Sequence, residues 1–163
     1  MKLELKNIKH SEFASHETFC YEAILYVDGK PFAYVRNDGQ GGSDHFEHDP
    51  RFKDLGIWKA VYLNLKRFCA SEYAWESFDG EMVDGTIETA CSSLMADHLI
   101  RKDLNKALRE PCYLEGNQIV SYNVSSKRPN IFDQLRRQLK KPELVFLNEL
   151  PKDEAFKMFK EVA

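Results

Sequence analysis

The chain has 163 residues, of which 43% are hydrophobic, 12% aromatic and 30% charged, with a formal net charge of −3. That balance excludes an intrinsically disordered chain and supplies enough apolar material for the core of one ordinary domain, expected over residues 1–163. No run of about 18 apolar residues occurs, which excludes a membrane-spanning helix. The first residues, Met1 to Lys6, alternate charged and apolar groups where a secretory signal needs a continuous apolar segment. A cytoplasmic location is therefore expected.

Leu3 and Leu5 alternate with Lys2, Glu4 and Lys6, the pattern of a half-buried strand. Over residues 19–27 the alternation is stronger, with Phe19, Tyr21, Ala23, Leu25 and Val27 on one side. Asp28-Gly29 follows, a dipeptide suited to a tight hairpin, and Pro31 to Arg36 supplies the return strand. The stretch 37–50 is rich in glycine and acid and is predicted to be a surface loop.

Between Asp54 and Cys69 the period changes. Leu55, Trp58, Val61, Tyr62, Leu65, Phe68 and Cys69 recur at three and four, predicting an amphipathic helix. Residues 71–85, with two Asp-Gly pairs, read as a loop. A second helix is predicted from Ile87 to Leu108, with Thr86 as its N-cap and His98 on its apolar stripe as a core histidine. Pro111 ends it. Cys112 to Val124 is a second hairpin, turning at Glu115-Gly116-Asn117. Asn130 is placed to cap a short helix carrying Ile131, Phe132, Leu135 and Leu139, and Leu144 to Leu147 reads as a buried strand. A last helix enters at Pro151 and packs through Ala155, Phe156, Phe159 and Val162. Because strands and helices are segregated, the expected class is α+β, a mainly antiparallel sheet of hairpins packed on two long amphipathic helices.

The four cysteines, Cys20, Cys69, Cys91 and Cys112, form no CxxC pair and are expected as reduced thiols. The candidate ligand site is the loop: Asp38, Gly39, Gly41, Gly42, Ser43, Asp44, His45 and His48. Its glycines allow backbone N–H groups to converge on an anion, but its carboxylates oppose phosphate, and neither phosphate-binding spacing is present. Asp44, His45, Glu47, His48 and Asp49 together offer oxygen and nitrogen donors of the kind metals accept, with His45 and His48 on one face if that segment is a helical turn. No metal motif is matched, and no cofactor is implied. His10 and His16 lie near Cys20, without a catalytic motif around them.

Charge is unevenly placed. Lys127, Arg128, Arg136, Arg137, Lys140 and Lys141 face one acid, Asp133, and Arg136, Arg137, Lys140 and Lys141 are the candidate nucleic-acid contacts. Conversely, Glu72, Glu76, Asp79, Glu81, Asp84 and Glu88 run without a single base.

Several segments resemble a group of small bacteriophage and prophage proteins: Glu12 to Thr18, Tyr21-Glu22-Ala23, Leu25 to Lys30, Asn37-Asp38-Gly39 with Gly41-Gly42, and Leu147 to Pro151 followed by a short amphipathic helix. The resemblance covers residues 12–42 and 147–162, and Ser43-Asp44 stands where that group would carry a cysteine after the double glycine. It implies an accessory protein of the bacterial cytoplasm that binds a host or phage protein, and carries over no catalytic residue. Exposed sheet edges are compatible with a homodimer.

Overall fold

The computed structural model describes residues 1–163. They gather into two compact units, Met1–Met95 and Ala96–Ala163. The chain is α+β, with antiparallel sheets throughout.

In the first unit, strands β1 (Leu3–His10), β2 (Cys20–Val27), β3 (Lys30–Asp38) and β4 (His45–His48) pair in sequence order. The β2–β3 turn is Asp28-Gly29, with φ of 48° and 79°, the left-handed pair that a two-residue hairpin needs. Tyr21, Ala23 and Leu25 lie opposite Asn37, Val35 and Ala33, so their shared face is the buried one. Edge strand β1 carries an irregularity between Lys6 and Lys9, where Asn7 takes φ 55°. A bulged, lysine-rich edge of this kind resists pairing with another chain.

Helix α1 (Leu55–Glu72) starts at Asp54, whose carboxylate accepts from the N–H groups of Gly56 and Ile57. It closes on the sheet through a stack: Phe32 and Trp58 lie 5.1 Å apart, Trp58 and Tyr62 5.3 Å apart, and Trp58 Nε1 donates to the Phe32 carbonyl at 3.0 Å. Leu55, at the head of the predicted stripe, is 58% exposed, because it sits in the first turn beyond the sheet contact. Helix α2 (Ile87–Ala107) opens with a reciprocal cap, Thr89 N–H to Thr86 Oγ1 and Thr86 N–H to Thr89 Oγ1. Leu65 and Cys69 of α1 and Ile87, Ala90, Cys91 and Met95 of α2 complete one core with the sheet.

Residues 71–85 differ from the expected loop. Strands β5 (Trp75–Glu76) and β6 (Met82–Val83) pair there as a short hairpin. His45–His48 likewise forms β4 inside the predicted loop, since Phe46 and His48 face inward opposite Val35 and Ala33.

In the second unit, β7 (Cys112–Glu115) and β8 (Gln118–Ser121) turn through Gly116, at φ 61°. Helix α3 (Ile131–Leu139) and helix α4 (Lys152–Lys160) flank a single 3-10 turn at Leu147–Glu149. The predicted strand at 144–147 is absent: Leu144, Phe146 and Leu147 pack inward from an irregular segment, and the Asn148 side chain anchors it by accepting from Cys112 N–H and donating to the Leu108 and Glu110 carbonyls. Asn130 precedes α3 in a left-handed conformation, and its side chain makes no capping bond. His98 is exposed, contrary to the expected core position. The buried set is Leu104, Cys112, Leu147, Ala155, Phe156 and Phe159, with a second group at Tyr113, Ile131, Leu135 and Phe146.

Candidate functional site

The glycine-rich loop is a closed hydrogen-bonded clasp. Asn37 continues the inward alternation of Ala33 and Val35, so its amide is buried where an apolar residue would otherwise sit. The amide is fully used: Oδ1 accepts from Thr18 Oγ1 and Gly39 N–H at 2.8 Å each, and Nδ2 donates to the Gly42 carbonyl and Asp44 Oδ1 at 2.9 Å each. Asp44 also accepts from the Tyr21 hydroxyl at 2.7 Å. Burial, the Cys91 thiol and this carboxylate all push the Tyr21 phenol above its ordinary range, so it stays a donor.

Three consecutive backbone donors of the glycine stretch are already occupied. Gly39 N–H goes to Asn37, Gln40 N–H to Asp38 Oδ1, and Gly41 N–H to Thr18 Oγ1. The Gly39 carbonyl in turn accepts from the N–H groups of His16, Glu17 and Thr18. Gly39, at φ +83°, is required sterically, because a Cβ there would lie 2.1 Å from the Ala14 carbonyl oxygen. Ser43 and Asp38 are exposed on the clasp's outer side.

The five donors considered for a metal are spread apart. On a strand, His45 and His48 point to opposite faces. His45 lies outward across from Arg36. His48 lies inward, its ring edge-on to Trp58 at 5.3 Å and its Nε2 donating to the Phe52 carbonyl at 2.8 Å. Asp49 is fully buried, and its carboxylate is gripped by the Arg51 guanidinium, which holds its carboxyl below the usual range. No group of three His, Cys, Asp or Glu side chains is arranged to hold a metal ion.

The outward face of the four-stranded sheet mixes charged side chains with Ile24, Tyr26 and Tyr34. A trough of about 570 Å³ there runs past Lys9, His10, Cys20, Glu22, Arg36 and His45. Cys20 is half-buried, and Ser15 links its backbone to His10: Ser15 Oγ lies 3.2 Å from His10 Nε2 and accepts from Cys20 N–H at 2.8 Å. His16 is elsewhere, exposed beside the clasp.

Of the four basic candidates, two are neutralised within the second unit. Arg136 donates to the Leu144 carbonyl at 2.9 Å and pairs with Asp133 and Glu149, and Lys141 pairs with Glu115 at 2.5 Å. Arg137 and Lys140 remain at the surface, lining a shallow hollow with Asp133 and Pro142.

The β5–β6 hairpin stands out by its exposure. Trp75 is 50% exposed, Met82 67%, and Phe78 presents its whole ring to solvent. Trp75 lies opposite Val83 and Glu76 opposite Met82, so each face carries apolar surface. The tip is nonetheless ordered: Gly80 N–H donates to the Ser77 carbonyl at 3.0 Å, Ser77 N–H to the Glu81 carbonyl at 2.8 Å, and Gly80 takes φ +82°. This is the three-residue hairpin loop closed by a left-handed glycine. The Ser77 hydroxyl donates to Asp79 and holds its carboxyl below the usual range, so the tip stays anionic. The sequence signal for this element was Asp79-Gly80 set between the apolar-bearing pairs Trp75-Glu76 and Met82-Val83.

No protein-family model matches the chain, and no curated protein or solved structure is similar to it. No helix is long and apolar enough to cross a membrane.

Proposed function

We propose that the chain is an accessory protein of phage type, acting in the bacterial cytoplasm by binding another protein rather than by catalysis, and that the β5–β6 hairpin is its docking element. One observation carries the reading: a hydrogen-bonded tip holds Phe78 wholly in solvent, with Trp75 exposed on one face of the hairpin and Met82 on the other. Burying a side chain such as Phe or Met is worth about 1.5–3 kcal/mol, and a turn already fixed by hydrogen bonds loses little further freedom on docking. Exposed aromatics on a rigid support are the side chains that dominate protein interfaces.

The segments that carry the phage resemblance support the fold instead. Ser15 to Thr18 and Asn37 to Gly42 build the clasp, and Asn148 ties the end of α2 to β7. The docking surface belongs to the middle of the chain, outside those segments.

The test is recovery of a specific partner from infected bacterial cells with the full chain as bait, in parallel with the Trp75→Ala/Phe78→Ala double variant. Recovery that depends on both aromatic side chains is expected. Equal recovery by the double variant places the interaction elsewhere, and no specific partner with either bait removes the reading.

A further inference from the structure

Resting on the hairpin as docking element, the geometry points to its occupant: a cationic protein surface, lysine- or arginine-lined, with an apolar pocket that receives Phe78 and Trp75. The hairpin sits within the run Glu72, Glu76, Asp79, Glu81, Asp84 and Glu88, with no Lys, Arg or His anywhere from 72 to 88. Glu76, Asp79, Glu81 and Asp84 are all exposed. None of the ion pairs in the structure involves any of these six acids, so the charge is not answered by an internal salt bridge. A surface with an aromatic centre and an acidic rim discriminates strongly by sign, because like charges brought together at an interface repel where little solvent screens them.

The same charge argues against the other occupants. Nucleic acid presents phosphates, which the six carboxylates repel, and an anionic bilayer surface repels them in the same way. A cationic protein gains twice over. Its approach is steered by the acidic rim at long range, and its apolar pocket is filled at short range by Phe78 and Trp75. Glu76 beside Met82 and Asp79 beside Phe78 set carboxylates next to apolar groups, so a matching partner alternates its cations with its pocket walls.

The experiment uses the full chain as bait against a display library of random peptides about 20–30 residues long, the number that one partner contributes to a standard interface. Enriched peptides are expected to carry several Lys or Arg residues around an aromatic or aliphatic core. Their affinity should fall about tenfold or more when salt is raised from about 0.05 to about 0.5 M, as screening shortens the reach of the rim. Phe78→Ala/Trp75→Ala should weaken them by about a hundredfold, in the range of paired hot-spot losses. Glu76→Lys/Glu81→Lys/Asp84→Lys should weaken them by a comparable factor while leaving the circular dichroism of the chain unchanged. Enrichment of neutral or acidic peptides, or binding insensitive to salt and to charge reversal yet still lost with the aromatic pair, overturns the cationic partner and leaves the docking hairpin standing. Peptides indifferent to the aromatic pair, or no enrichment, overturn the docking hairpin itself.

Discussion

Asn37→Asp exchanges one amide nitrogen for an oxygen and leaves the side-chain shape intact. It removes both bonds that Nδ2 donates, to the Gly42 carbonyl and to Asp44 Oδ1, and sets two carboxylates about 2.9 Å apart at a buried position. Each lost bond is worth about 1 kcal/mol, and unpairing a buried acceptor adds at least about 1 kcal/mol, so the first unit should lose at least about 3 kcal/mol at neutral pH. Both tryptophans, Trp58 and Trp75, lie within residues 1–95, so tryptophan fluorescence in urea reports that unit. At a slope of about 1–3 kcal/mol per molar urea, the midpoint should fall by at least about 1 M. The sign with pH is fixed as well. The crowded carboxyl pair has one folded pKa raised above its unfolded value, so the penalty is full at neutral pH and shrinks as pH falls through that raised value and a shared proton restores a bond. A midpoint shift below about 0.3 M, or one that is flat with pH, would refute the clasp as a stabilising network.

The other consequences test separate parts of the structure. Gly39→Ala should cost more than about 2 kcal/mol, since it combines a left-handed backbone with a Cβ 2.1 Å from the Ala14 oxygen, while Gly42→Ala, with nothing within 4 Å, should stay within about 0.5 kcal/mol of the parent by urea unfolding. A thiol reagent should label Cys20 first in the native protein. Cys69 and Cys112, whose thiols burial pushes up to about 11, and the deeply buried Cys91 should react only on unfolding, as mass spectrometry of the labelled chain would show. The Asp49 carboxyl is depressed by the Arg51 guanidinium, so its contribution is present above the unfolded carboxyl value near pH 4 and lost as pH falls through the lower folded value. Asp49→Asn should flatten that acid limb of Tm against pH, and an unchanged limb would assign it to other groups.

The β2–β3 hairpin was legible because its alternation is long and Asp28-Gly29 supplies both left-handed residues in sequence. The two long helices were legible from their spacing, and Thr86 was recognisable as a cap. Strand β4 was hidden because one apolar residue, Phe46, gives no readable period, and its pairing with Val35 is set by the clasp that precedes it. The short run Leu144 to Leu147 reads as a strand, but four apolar residues carry no period that separates strand from helix, and what decides the segment is Asn148, bonded across 36 to 40 residues. The clasp itself depends on Thr18 and Tyr21, distant in sequence from the glycines, although carrying the alternation of Ala33 and Val35 one step further would have placed Asn37 inward. Hairpin β5–β6 is not legible as strand, because two-residue strands have no period at all.

Photo-crosslinking from a benzophenone side chain at position 78, in infected bacterial cells, tests the docking hairpin most directly, with the same group at exposed Leu63 of α1 as control. A discrete adduct to one protein from position 78, absent from position 63, is the result the docking hairpin predicts; equal labelling from both positions, or none from position 78, would contradict it.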